Sequence, residues 1–252
     1  MPRGKPARNE ELLRDIRELA DDLGHTPTSR DIQKEGSYCR SIYDQRFPTF
    51  AVAVTKAGLI PKPWNPLNRR EISQWHESAL SKKTDYTLTG IFFQFLPVKP
   101  SLFVDFDPAW LTSVADDSIL QIPSDDTSRK DDIEIIVPDT WTDTHTNKEK
   151  STFLPDLLDW GIAEHGSTPF DSINSIKYAH YKIASGVDFE TSRPNSVRWE
   201  EPKVTARDLY HTHGIHLARN GASKEWIARR MGLNRPEQAE AYYAILEHHD
   251  KY

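Results

Sequence analysis

Several side chains in this 252-residue sequence have the types and spacing that chemistry asks for. His211, His213 and His216 form an H-x-H-x-x-H string, and imidazole is a common ligand of transition metals. On a helix those three positions do not share one face, so no metal site is expected from them and no cofactor is implied. Paired acids at Asp116/Asp117, Asp125/Asp126 and Asp131/Asp132 suggest a metal nuclease only with a matching Lys or His frame. That frame and an H-N-H core are both missing, so the pairs read as solvated turns. Cys39 is the one cysteine. It excludes an internal disulfide and any zinc site built from several thiolates, and it reads as a small half-buried helix residue. Basic groups interleaved with hydroxyls say more. Arg30, Arg40 and Arg46 stand with Lys34, Ser37, Tyr38, Ser41 and Tyr43 on two short predicted helices. Arg, Ser and Tyr are side chains that contact phosphates and base edges. Arg3, Lys5 and Arg8 give the N-terminus the character of a flexible basic arm able to enter a groove.

The elements that must position these groups are mostly helical. Residues 10–23 carry Leu12, Leu13, Ile16, Leu19, Ala20 and Leu23 at helical spacing, and Gly24 stops that helix. Thr28 or Ser29 caps a second from about Arg30 to Lys34, ended by Gly36. Residues 38–46 form a third, with Ile42 and Phe47 facing inward, and a fourth runs from about Phe50 to Ala57. Phe47, Phe50 and Leu59 are assigned to core. Three prolines in PKPWNP (61–66) mark a linker. A helix over 69–82 follows, then the apolar run 88–96. Strand candidates lie at 101–106, 118–122 and 133–137, with an acidic turn before the last. Residues 153–166 form an amphipathic helix closed by Gly166, and helices resume from Thr205 to the end. The fold class is α+β, mainly α with a small β-sheet. It divides into a basic tail (1–9), a helical module (10–61), a linker (62–68) and a second domain (69–252).

Charge and hydropathy set further limits. The chain is 37% hydrophobic and 28% charged with a net charge of −6. Ten Phe, nine Tyr and seven Trp are enough aromatic mass for a core. Acid gathers in the middle: positions 100–150 hold twelve acidic and four basic residues, while both ends are mildly basic. An acidic centre reads as a solvated loop face, or as a surface turned away from nucleic acid bound by the ends. No apolar run approaches the roughly 18–20 residues of a membrane span, and MPRGKPAR has no signal-peptide core. A cytoplasmic, nucleoid-associated location without membrane partners is the expectation.

Two resemblances follow from these residues. The run from Leu23 to Pro61 resembles the homing-endonuclease-associated repeat, through Gly24, Thr26, Pro27, Thr28, Phe47, Phe50, Ala57, Gly58 and Leu59. Pro48 and Phe50 stand where that family usually has glycine and tryptophan. The resemblance implies a helix-turn-helix-like DNA-contact unit. Residues 205–243 resemble the C-terminal part of tyrosine recombinases, the phage-integrase superfamily. Thr205, Asp208, Leu209, His211, Thr212, Leu217, Asn220, Gly221, Ile227, Met231 and Gly232 fit its frame. The separation of 23 residues from Tyr210 to Leu233, and of nine from Leu233 to Tyr242, fits as well.

Carried over position by position, the recombinase resemblance implies a site with most of its charge lost. The nucleophile position is Tyr242 and the hairpin lysine is Lys130. The first arginine becomes Phe92, in Thr89-Gly90-Ile91-Phe92. The histidine past Thr205 becomes Arg207, the second arginine becomes Tyr210, and the His/Trp position becomes Leu233. Each missing donor at a phosphoryl-transfer site costs a few kcal/mol of transition-state stabilisation. The expected function is therefore double-stranded DNA binding without catalysis, as a regulator or architectural factor. Phosphate contacts need no catalysis, and Arg207, Arg219, Lys224, Arg229, Arg230 and Arg235 supply charge for them. A solvated helix face with pairs such as Glu225–Arg229 is the plainer alternative. An active divergent recombinase using Tyr242 and a protein-interaction scaffold are the competing functions. The apolar last helix suggests self-association.

Overall fold

A computed structural model of the protein describes residues 8–62, 64–114, 117–123, 132–168, 172–190 and 203–252. Contacts divide the chain into two units. The first comprises residues 1–65, 214–229 and 233–252, and the second residues 66–213 and 230–232. The expected boundaries at 10–61 and 69–252 do not coincide with these units, because the last helices pack with the N-terminal ones.

The first unit starts with α1 (Asn9–Leu23), whose buried face is Leu12, Ile16 and Leu19. Gly24 ends it at φ 65°, a left-handed conformation that costs glycine nothing. Thr28 caps α2 (Ser29–Glu35): its hydroxyl oxygen accepts the Asp31 N–H, and the Asp31 carboxylate accepts the Thr28 N–H at 2.8 Å. α3 (Arg40–Arg46) and α4 (Phe50–Lys56) close the module. Tyr43, fully buried, lies at its centre. Its hydroxyl donates to Asp15 Oδ2 at 2.5 Å, and Asp15 Oδ1 accepts the Ser37 N–H at 3.0 Å. Burial together with the Asp15 carboxylate pushes the Tyr43 phenol well above its ordinary pKa.

Three further helices end the chain: α10 (Ala206–Arg219), α11 (Lys224–Met231) and α12 (Glu240–His248), with a 3-10 turn at Pro236–Ala239 before the last. α12 packs on α4, burying Ala241, Tyr242, Ala244 and Ile245. Lys56 on α4 pairs with Glu240 at 2.7 Å.

The second unit is built around α6 (Thr84–Phe95), on which every residue from Thr87 to Phe95 is buried. It packs between α5 (Arg69–Leu80), α8 (Leu154–His165) and α9 (Ile173–Ala184). Gly90 permits the approach, since a Cβ there would collide with the Ile183 side chain. Its carbonyl accepts the Trp75 indole N–H at 3.2 Å. Two antiparallel sheets complete the unit. β1 (Leu111–Val114), β2 (Asp117–Ile122) and β3 (Ile133–Val137) form one, with Ile119 opposite Ile136 and Leu120 opposite both Leu111 and Ile135. β4 (Thr140–Asp143) and β5 (Lys148–Ser151) form the other. Asp143 is fully buried; it pairs with Lys150 at 2.7 Å and accepts the Ser73 hydroxyl at 2.7 Å.

The α+β class stands, and β2 and β3 cover the segments expected as strands. Residues 101–106 do not form a strand. They belong largely to α7 (Pro100–Val104), because Pro100 in the first helical turn has the φ a helix needs and no N–H to lose. On α3 it is Tyr43, with Phe47, that fills the core, while Ile42 is only partly buried. Cys39 is exposed and precedes α3, so it is not the half-buried helix residue expected.

Candidate nucleic-acid interface

Charge on the N-terminal module is displayed by α2 and α3. Arg30 and Lys34 on α2 are exposed, as is Arg46 at the end of α3. The capping box at Thr28 and the Asp15–Tyr43 bond fix these two helices from beneath. Arg40 is tied down differently. Its guanidinium pairs with Asp44 at 2.8 Å, donates to Ser29 Oγ, and lies 4.9 Å from the Phe50 ring centroid. It is half-buried and holds α2, α3 and α4 together, so only part of it faces solvent. Tyr43 belongs to the core and not to any surface, contrary to the sequence expectation. Arg3 and Lys5 lie outside the described residues.

The C-terminal cations behave unequally. Arg229 is exposed, and Arg219 and Lys224 are partly exposed, with Lys224 3.8 Å from Glu240. Arg235 is exposed, yet its Nη2 donates to the Pro48 carbonyl at 2.6 Å. Arg230 is not a surface cation at all. It is 9% exposed; its Nη1 reaches the Ile136 carbonyl on β3 at 3.1 Å, its Nη2 the Phe95 carbonyl on α6 at 3.4 Å, and its Nε His213 at 3.2 Å. Burial brings its pKa down to about 10, so it stays charged at neutral pH. A guanidinium with several donors is suited to satisfying strand-edge and helix-end carbonyls at once.

The positions that the recombinase resemblance singles out are placed as follows. Phe92 is 1% exposed, in a cluster with Phe93, Phe103 and Phe106. Tyr210 is partly buried and its hydroxyl donates to the Met231 carbonyl at 2.7 Å. Arg207 is exposed in the first turn of α10, whose start is capped by Thr205 and the buried Asp208. Leu233 is partly buried. Tyr242 is 2% exposed and stacks on Trp64, with centroids 5.7 Å apart. Its neighbour Tyr243 donates to the Ala222 carbonyl. Lys130 lies outside the described residues, as do most of the paired acids.

The histidine string does not gather. His213 meets Arg230, His216 meets Asn220, and His211 is buried against Tyr210. Burial, with Arg207 adding to it, lowers the His211 pKa to about 3. Among the described residues no group of three or more His, Cys, Asp or Glu is placed to hold a metal ion. No helix among them is long and apolar enough to cross a membrane. The apolar face of α12 packs on α4 within the first unit, burying Ala241, Tyr242, Ala244 and Ile245.

The second unit also carries an aromatic–lysine cluster on α6 and α9 that the sequence reading missed. The signal was present as K-Y-A-H-Y-K at 177–182, in a stretch with no acidic residue between 173 and 184.

Comparisons with known proteins agree with both resemblances. Residues 7–60 match the family described as the homing endonuclease associated repeat. No curated protein matches the chain. Among solved structures, the fold is similar to the crystal structure of XerA recombinase, with a TM-score of 0.51 and 14% identity over 95% of this chain and 91% of that one. The fold thus resembles that of a tyrosine recombinase.

Proposed function

We propose that this protein binds duplex DNA through its repeat module and does not cut it, acting as a regulator or architectural factor on a catalytically degenerate recombinase fold. The observation that carries the reading is Phe92. At the position that the recombinase resemblance gives to a phosphate-binding arginine, an apolar ring is buried among three other phenylalanines. A side chain in that setting cannot neutralise a phosphoryl transition state. Tyr210, Leu233 and the stacked, buried Tyr242 support the same reading. Exposed Arg30, Lys34 and Arg46 supply the electrostatic footprint that phosphate binding needs, despite a net charge of −6.

The test has two arms. Purified protein is titrated against labelled duplex at several salt concentrations, and against a nicked duplex designed to trap a phosphotyrosine. Salt-sensitive binding with no covalent adduct is expected. An adduct lost in Tyr242→Phe would replace this reading with an active recombinase. No duplex binding at low salt would replace it with a protein-interaction scaffold.

A further inference from the structure

We infer that the second unit carries its own phosphate-backbone contact, a lysine platform on α6 and α9 built from Lys83, Lys177 and Lys182 around Tyr86, Tyr178 and Tyr181. The inference rests on the DNA-binding reading and extends it to a surface outside the repeat. Lys182 Nζ lies 5.2 Å from the Tyr178 ring centroid and 5.3 Å from that of Tyr181. Lys83 Nζ lies 4.5 Å from the Tyr86 centroid. The rings hold one another: Tyr178 and Tyr181 stack at 5.9 Å, and Tyr86 meets Tyr178 edge-on at 6.0 Å. Lys177 is exposed beside Tyr178, one helical turn before Tyr181.

The chemistry of the occupant follows from charge and order. α9 has two lysines and no acid, in a chain where acids outnumber bases by 38 to 32. The one carboxylate in the platform is Asp85, which takes Lys83 at 2.8 Å. Lys177 and Lys182 have no ion pair among the described residues. A lysine on water-exposed surface normally loses rotamer freedom when it grips a ligand. Here cation–π contact with rigid rings has already restricted Lys182, so less freedom remains to be lost. Ammonium groups gathered on one tyrosine cluster, with a third exposed beside it, favour a ligand carrying several negative charges and no need of base readout. A nucleic-acid backbone has that form.

The experiment uses the full chain. Lysine acetylation read by mass spectrometry, with and without duplex, reports protection directly on the wild type. Titrations of Lys177→Glu/Lys182→Glu and of the rescue pair Lys177→Arg/Lys182→Arg, each checked for fold by circular dichroism, report affinity. Duplex should protect Lys177 and Lys182. The charge reversal should weaken low-salt binding at least tenfold and flatten the slope of log K against log salt by about two, while the arginine pair keeps both. Binding by the wild type with no protection and an unchanged slope in the reversal would overturn the platform alone. Equal protection by polyglutamate would overturn it in favour of an acidic protein partner. Failure of the wild type to bind duplex at all would remove the DNA-binding reading, and the platform with it.

Discussion

The indole of Trp64 lies against the phenol of Tyr242, with centroids 5.7 Å and planes 25° apart. Trp64 comes from the proline-rich segment and Tyr242 from the last helix, so 178 residues of chain separate two rings in one stack. Tyr242, the position that the recombinase resemblance gives to the nucleophile, is buried within this stack. Stacked rings at this spacing add to the area they bury.

Tyr242 can be tested as a structural residue. Tyr242→Ala should cost about 3 kcal/mol of stability, in the range for removing a buried aromatic ring. Tyr242→Phe, which keeps the ring, should cost less than half as much. Urea unfolding checks both. Equal losses in the two variants would mean that the hydroxyl, not the stack, does the stabilising.

Arg230 and the exposed arginines should separate in a binding assay. Arg230→Ala leaves the Ile136 and Phe95 carbonyls without their donor and should cost about 2–4 kcal/mol of stability. It should leave the salt dependence of DNA binding unchanged. Arg30→Ala and Arg46→Ala should do the reverse, each lowering the salt slope by about one with little change in unfolding midpoint. A lower salt slope in Arg230→Ala would place that guanidinium on a phosphate.

Acid should destabilise the second unit through two histidines. Burial lowers the pKa of His180 and of His211 to about 3, against an ordinary value of 6.5. Both are neutral in the folded chain, and in the unfolded chain each takes up a proton below pH 6.5. Stability is therefore full above about pH 6.5 and falls as pH drops from there towards 3. Between pH 6.5 and 5 each contributes a loss on the order of 2 kcal/mol. Urea midpoints at pH 7 and pH 5 measure the effect. His180→Phe, placed against Trp75 and Phe93, should reduce it.

Tyr43 makes the opposite prediction at high pH. With its pKa raised in the folded state, the phenol stays protonated past the pH at which an unfolded tyrosine ionises. Stability should hold below about pH 10 and decline above it. Tyr43→Phe should weaken that decline and cost about 1–3 kcal/mol at neutral pH, since Asp15 loses a donor. Alkaline unfolding curves of the two proteins decide it.

The sequence by itself determined the local elements. The period of Leu12, Ile16 and Leu19, the Thr28 cap, and the glycines at 24 and 166 act within a few residues, and the helices they imply are there. The repeat and the likeness to a recombinase fold were legible for the same reason: both showed in short runs with fixed spacing. The strand expected at 101–106 failed because six residues of mixed hydropathy carry no clear period, and Pro100 settled the matter. Only tertiary structure decided which cations are available. Arg229 and Arg230 are neighbours on one helix, yet one meets solvent and the other meets carbonyls of β3 and α6, from 94 and 135 residues away in sequence. Burial of that kind is a property of what packs over a side chain, and residue type does not encode it. The same holds for Tyr43, written beside arginines as a surface tyrosine and placed in the core by Asp15, and for the face of α12, which α4 covers.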